Sequence, residues 1–175
     1  MQVVVGKGQG IKSIEEVYMA KIRRVDHIAV AVRDLDDAIE RFSRILGAEL
    51  IRKKQIRLSG SRISAAYLKL GDTIIGLDQA TDPDGFIAKF IERRGEGLHH
   101  LGLEVDDLDG FKGELRQKGV RIPHEEEPGG VRKEILLSPK DLCGIVCQVI
   151  EWKQGEAETM EDRINRLNRS LDQWE

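Results

Sequence analysis

Basic charge is not in excess in this sequence: 28 Lys and Arg stand against 31 Asp and Glu, a net charge of −3. It therefore lacks the positive surface with which proteins displace counterions from nucleic acid. No apolar run approaches the roughly 18 residues that a membrane span requires. The N-terminus also lacks the basic, then apolar, then small-residue order of a secretory signal. These absences predict a cytoplasmic chain with neither a nucleic-acid nor a membrane partner. Cysteine is scarce: Cys143 and Cys147 are the only two. Four residues apart in a strand they share a face but lie too far apart to bridge, so they read as reduced, buried thiols. One such pair is also too little for a zinc site. Aromatic residues are only 5% of the chain, which leaves the core to Leu, Ile, Val and Ala. The glycines of the leader (Gly6, Gly8 and Gly10) lack the Lys-Ser/Thr ending of a phosphate-binding loop and read as a flexible link.

What is present is a repeat. From Asp26 the chain runs DHIAVAVRDLDDAIERFSRILGAEL, and from His99 it runs HHLGLEVDDLDGFKGELRQKGVRI. A shift of 73 positions superposes His27 on His100, Val32 on Val105, Asp34 on Asp107, Leu35 on Leu108 and Asp36 on Asp109. Each copy has an alternating strand that begins at a His, then an Asp-Leu-Asp helix start, an amphipathic helix and a Gly stop at Gly47 or Gly119. Further strands follow in each copy: Ile63–Leu70 and Thr73–Gln79 around a Gly71-Asp72 turn, then Glu134–Leu137 and Gly144–Glu151 around Ser138–Asp141. One more strand is expected near 49–55 and near 120–123. The predicted fold is α+β: two tandem βαβββ modules, 22–80 and 97–152, forming a curved, cleft-bearing mixed sheet. A linking helix over 83–94, opened by Asp82-Pro83-Asp84, joins them. Residues 1–21 form a leader in which Ser13-Ile14-Glu15-Glu16 fits a capping box, predicting a short helix. In the tail, 153–175, Met160, Ile164, Leu167, Leu171 and Trp174 are spaced 4-3-4-3, a seam on an amphipathic helix. Two heptads are too short to stand free, so this helix is expected to pack against the body or against its copy in a homodimer. It could also receive a partner protein.

Strand alternation sorts the side chains by face. His27, Ala29 and Ala31 share one face of the first strand, while Ile28, Val30 and Val32 share the other. His100, Gly102 and Glu104 fall together in the second copy, which assigns His99, Leu101, Leu103 and Val105 to the core. Ile74, Gly76, Asp78 and Ala80 form a third set, and Gly144, Val146, Gln148 and Ile150 a fourth. One face is apolar and the other small or polar, as the lining of a cleft would be. A single His in a strand is most often a satisfied structural residue. Two at equivalent positions of a repeat, both on the small-residue face, converge near the axis that relates the copies, and imidazole is a common ligand for first-row metals.

These residues resemble the vicinal oxygen chelate superfamily of glyoxalases, bleomycin-resistance proteins and extradiol dioxygenases, and within it the methylmalonyl-CoA epimerases. The resemblance spans about residues 23–152. It is carried by VDHIAVAVRDLDDAI, by LGDTIIGLDQATDPDGFIAKFIERRGEGLHHLGLEVDDL and by the PGG…LLSPKDLCGIVCQV tail. It implies a divalent metal (Co, Zn, Ni, Mn or Fe) held by His27 and His100, and a small-molecule substrate with adjacent oxygens such as an acyl-CoA. The implied chemistry is α-proton abstraction with enolate stabilisation, and a glyoxalase-like lyase activity is a close variant. The family's last-strand Glu falls on Gln148, which can still ligate through its amide oxygen, and its fourth-strand ligand falls on Gly76, which cannot. Asp78 and Glu104 are the carboxylates on the cleft face that could serve in catalysis. Two other readings follow from the altered positions. One is a member that binds small molecules or a partner without turnover. The other is an iron-dependent, dioxygenase-like site completed by Asp78 or Glu104.

Overall fold

The computed structural model describes residues 20–58, 60–153 and 157–173. The capping-box helix near Ile14 and the last seam residue, Trp174, lie outside these. Eight strands form one sheet. The first module contributes β1 (Ile22–Val32), β2 (Glu49–Leu58), β3 (Ser61–Leu70) and β4 (Thr73–Ala80); the second contributes β5 (Gly97–Val105), β6 (His124–Glu126), β7 (Arg132–Leu137) and β8 (Val146–Trp152). Their spatial order is β2-β3-β4-β1-β5-β8-β7-β6. β1 and β5 pair antiparallel at the centre, and each has the last strand of its own module parallel on its other side. The modules are thus related about an axis between β1 and β5, the two strands that carry the paired histidines.

Among the described residues four α-helices join the sheet: α1 (Leu35–Leu46), α2 (Phe86–Arg94), α3 (Leu108–Gln117) and α4 (Met160–Gln173). The Asp-Leu-Asp starts behave as caps. Asp34 accepts from the amides of Asp36 and Asp37, and Asp107 from that of Gly110, satisfying donors at each helix N-terminus. Gly47 closes α1 with φ +70°, a left-handed turn that glycine adopts without penalty. α1 covers one side of the first module through Val32, Leu35, Ala38, Leu68 and Leu77. In the second module Val105, Leu108, Leu115, Ile135 and Val149 form the equivalent layer with α3.

Three expected elements differ. Residues 120–123 form no strand; the edge strand begins at His124, after Pro123, which has no amide hydrogen for a ladder. The linking helix starts at Phe86 because Asp82 accepts from Asp84 and Gly85 in a turn that delays it. The last strand starts at Val146 because Gly144 and Ile145 are still held in turns, donating to the Pro139 and Leu142 carbonyls. Cys143 is therefore exposed in a turn, and only Cys147 is buried as expected.

α2 and α4 lie on the other, concave face. There Ala31, Ile63, Ala65, Tyr67 and Ile74 pack with Ile87 and Ile91 of α2 and with Leu167 and Leu171 of α4. The C-terminal helix therefore docks on its own sheet. The sheet answers it with cations at its C-terminal end, where Arg52 donates to the Asn168 carbonyl at 3.1 Å and Lys54 donates to that of Leu171. That is the end at which a helix favours positive charge.

Candidate functional site

The site is shaped by two irregularities in the central ladder. Val25 pairs with Leu103 and His27 with Gly102, so Asp26 is an extra residue in β1; Ala29 pairs with His100 and Val30 with Leu98, so His99 is extra in β5. A bulge re-aims a side chain that alternation would send to the other face. Both extra residues precede the paired histidines, and the shift that relates His27 to His100 also relates Asp26 to His99. His99 does not join Leu101 and Leu103 in the core, as alternation predicted. Its ring lies 4.9 Å from that of Phe90 and 5.6 Å from that of Phe86, on the α2 side of the sheet.

His27 and His100 are buried and meet tip to tip, Nε2 to Nε2 at 3.1 Å. Each is held from behind by the residue before it. Asp26 Oδ2 is 2.8 Å from His27 Nδ1, and His99 Nδ1 is 2.9 Å from His100 Nδ1. Burial alone would raise Asp26, but hydrogen bonds from His27 and Trp152 and the charge of Arg132 hold its carboxyl well below the usual range. Asp26 is thus an acceptor, so His27 Nδ1 carries a proton and Nε2 is the atom that meets His100. Burial pushes His99 down to about 4. Burial first, then His27, His99 and Arg132, pushes His100 well below its ordinary value, against the opposing effect of Gln148. Gly102 is obligatory: a Cβ there would lie 2.5 Å from His27 Nδ1. At Gly76 the nearest atom to an added Cβ is His27 Cδ2 at 3.8 Å, so the position has room for a side chain.

The carboxylates divide by surroundings. Asp78 is buried beside this centre, and burial raises it to about 6 against the pull of His27. Glu104 is directed to α4: Arg166 donates to its two oxygens at 3.1 and 2.7 Å, with Arg24 at 3.7 Å. Its carboxylate is committed to that pair and is absent from the cavity lining. Glu134 escaped the sequence reading. It is buried, accepts from Gln148 Nε2 at 2.7 Å and lies 2.6 Å from Arg132; burial raises it above its ordinary value. The signal was the alternation of Arg132 and Glu134 on the face of β7 that continues Gln148. Gln148 keeps one buried atom without a hydrogen bond, its Oε1.

A void of about 20 Å³ lies among His27, His100, Gly76, Asp78, Arg132 and Gln148, room for one water or one ion. It shares Leu58, His100 and Gln148 with a cavity of about 460 Å³ that reaches Glu134 and His124. That cavity continues, past His99 and Lys89, into a groove flanked by Arg93 and Arg94 of α2. Two imidazole nitrogens, an unpartnered amide oxygen and a one-atom void fit a metal that favours nitrogen donors. No cluster of three His, Cys, Asp or Glu exists among the described residues, and the donor beside the two imidazoles at the void that carries no charge is the amide of Gln148.

The family model described as glyoxalase/bleomycin resistance protein/dioxygenase superfamily matches residues 26–135. The human mitochondrial methylmalonyl-CoA epimerase is 31% identical over 129 residues, covering 72% of this chain and 72% of that one. The ethylmalonyl-CoA/methylmalonyl-CoA epimerase of Cereibacter sphaeroides is 31% identical over 132 residues, covering 73% of this chain and 97% of that one. Among solved structures, a Streptomyces coelicolor methylmalonyl-CoA epimerase in complex with 2-nitronate-propionyl-CoA superposes with a TM-score of 0.68 at 27% identity. It covers 76% of this chain and 99% of that one.

Proposed function

The chain belongs to the glyoxalase/bleomycin resistance protein/dioxygenase superfamily, and on that premise we propose that it is an isomerase of the methylmalonyl-CoA epimerase type, acting on an acyl-CoA with a carbonyl on each side of an acidic C–H. The observation that carries this reading is the convergence of His27 and His100 on a one-atom void at the floor of a cavity large enough for an acyl group. The epimerase relatives and the acyl-CoA analogue bound by a structural neighbour support the substrate class.

His27 and His100, with Gln148 as third donor, would hold a divalent first-row ion (Co, Zn, Ni, Mn or Fe), with the imidazoles favouring Zn, Ni, Co and Fe over Mn. Such an ion, when bound, supplies Lewis-acid polarisation of a substrate carbonyl. Asp26 lies at hydrogen-bond distance from His27 Nδ1, and His99 at the same nitrogen of His100. Asp78 on β4 and Glu134 on β7 put one carboxyl on each side of the pair. Epimerisation needs two such groups. One carboxylate takes the proton from carbon, whose electron pair delocalises onto the neighbouring carbonyl, and an acid on the opposite face returns a proton. No atom is gained or lost. Burial of both carboxyls keeps water from competing for the carbon-bound proton. Lys89, Arg93 and Arg94 along the outer groove suit the phosphates of a CoA tail.

The test is deuterium uptake at C2 of methylmalonyl-CoA in D₂O with Co²⁺ supplied, read by mass spectrometry. Uptake by the wild type and its loss in His100→Ala are expected. No uptake by protein that demonstrably holds Co²⁺ defeats the epimerase reading. Gly76 and Gln148, which bring no acid to the site, favour one alternative: a member that binds acyl-CoA without turnover. Saturable acyl-CoA binding with no exchange would select it.

A further inference from the structure

We propose that His99 is a positioning residue, the counterpart in the second module of what Asp26 is in the first: it holds His100 by accepting a hydrogen bond from Nδ1 while Nε2 serves as the metal donor. The inference rests on the reading that His27 and His100 hold a metal.

The argument starts from the repeat. His27 and His100 are equivalent, and the residue before each is the extra residue of a bulge in the same β1–β5 ladder. A bulge turns two consecutive side chains toward one face, so each imidazole acquires a neighbour at its Nδ1 that regular alternation would have sent away. The contacts match: 2.8 Å from Asp26 to His27 and 2.9 Å from His99 to His100. A metal-ligating imidazole is normally fixed by a partner on its second nitrogen, which sets tautomer and ring orientation. In the first module that partner is a carboxylate. In the second it is an imidazole, seated between His100 and the rings of Phe86 and Phe90.

Proton bookkeeping fixes the roles. A neutral His100 that donates its Nε2 lone pair carries its proton on Nδ1. The group that meets this nitrogen is His99 Nδ1, at 2.9 Å, which must be unprotonated to accept the hydrogen bond. A neutral His99 then carries its own proton on Nε2. The aromatic pair of α2 holds the ring in that pose, so the second ligand is oriented from outside the sheet, through α2.

Two variants separate positioning from mere packing. Phe at 99 fills the same space beside Phe86 and Phe90 but offers no acceptor; Asp at 99 packs poorly but reproduces the Asp26 arrangement. Co²⁺ affinity, read from the visible absorption of the bound ion, is expected to fall about 10- to 100-fold in His99→Phe and to be kept in His99→Asp. A packing role predicts the reverse order. Nitrogen-15 NMR of the Zn²⁺-loaded wild type gives a readout that needs no variant: protonated His100 Nδ1, unprotonated His99 Nδ1 and protonated His99 Nε2. Wild-type protein that takes up no Co²⁺ sinks the metal reading and this inference with it. Uptake that is unchanged in His99→Phe, or a protonated His99 Nδ1 in the loaded protein, sinks the inference alone.

Discussion

Replacing Asp78 by Asn tests the electrostatics of the site without any substrate. Asp78 is buried in the sheet beside His27, with its pKa raised from 3.8 to about 6, burial outweighing the attraction of His27. The folded chain therefore binds this proton more tightly than the unfolded chain does. The associated stability is fully present below the unfolded value of 3.8 and is lost as pH rises through about 6. A displacement of roughly two pH units corresponds to about 3 kcal/mol, at about 1.4 kcal/mol per unit. Asn keeps the shape and removes the ionisation. The assay is urea unfolding of both proteins in chelator across about pH 4.5 to 8, with stability differences taken pH by pH so that the shared titrations cancel. The Asp78→Asn variant should gain on the wild type as pH rises, by about 2 kcal/mol across this range, since about a third of the effect falls below pH 4.5. At a slope of about 2 kcal/mol per molar urea, that is a midpoint shift of about 1 M. A difference that stays flat, or a wild type that gains on the variant as pH rises, refutes the reasoning. Either result would mean that a partner offsets the burial of the Asp78 carboxylate.

Three further substitutions probe the frame around the site. Gly102→Ala sets a methyl 2.5 Å from His27 Nδ1 and should cost about 1–3 kcal/mol in urea unfolding, with loss of Co²⁺ uptake because the ring is displaced. Gly76→Glu has room for its Cβ and brings an anionic donor to a neutral set, so Co²⁺ affinity measured by chelator competition should rise about tenfold or more. Arg166→Met leaves Glu104 buried without its main partner and should cost about 3–5 kcal/mol; adding Glu104→Gln should recover most of it, and a double-mutant cycle with no coupling would contradict the pairing.

The sequence was most legible where one rule governs and least where two compete. The shift of 73 residues, the Asp caps and the face of His27, Ala29 and Ala31 follow from repetition and period, and the α+β sheet of paired modules bears them out. His99 was misassigned because alternation assumes an unbroken ladder, and nothing in LHHLGLEV marks where the extra residue falls. The tail helix shows a different competition. The 4-3-4-3 seam correctly picks out Leu167 and Leu171, yet the buried face also takes in Arg163, Arg166 and Ser170. Those residues read as solvent-facing in a linear pattern. Arg163 is buried because the Asp26 and Asp72 carbonyls accept from it at 2.6 and 2.9 Å, and Arg166 because Glu104 awaits it. Neither partner is near in sequence, so no local window contains the reason. Glu104 was likewise assigned a face but not a partner, and the partner decides what a buried carboxylate can do.

The two modules are alike in frame and unlike in charge, and the difference falls on the residues that meet at the axis. Position 26 is an acid and its equivalent 99 is an imidazole; position 76 is a glycine and the other module offers the amide of Gln148. His27 is therefore backed by an anion and His100 by a neutral ring. An anion on Nδ1 makes the opposite nitrogen a stronger donor, so a metal in the void would be bound unequally, with His27 the stronger ligand. Two of the remaining buried acids are engaged by arginines. Glu104 is neutralised by Arg166 and Arg24, and Glu134 lies against Arg132. What faces the void is two imidazoles and an amide, with the single carboxyl of Asp78 and the guanidinium of Arg132 beside them, a set with little net charge. Such a set discriminates against hard, oxygen-seeking cations such as Mg²⁺ and Ca²⁺, which require carboxylates, and in favour of ions that bond to nitrogen. It also leaves most of the ion's positive charge uncompensated, and therefore available to a substrate that brings two oxygens.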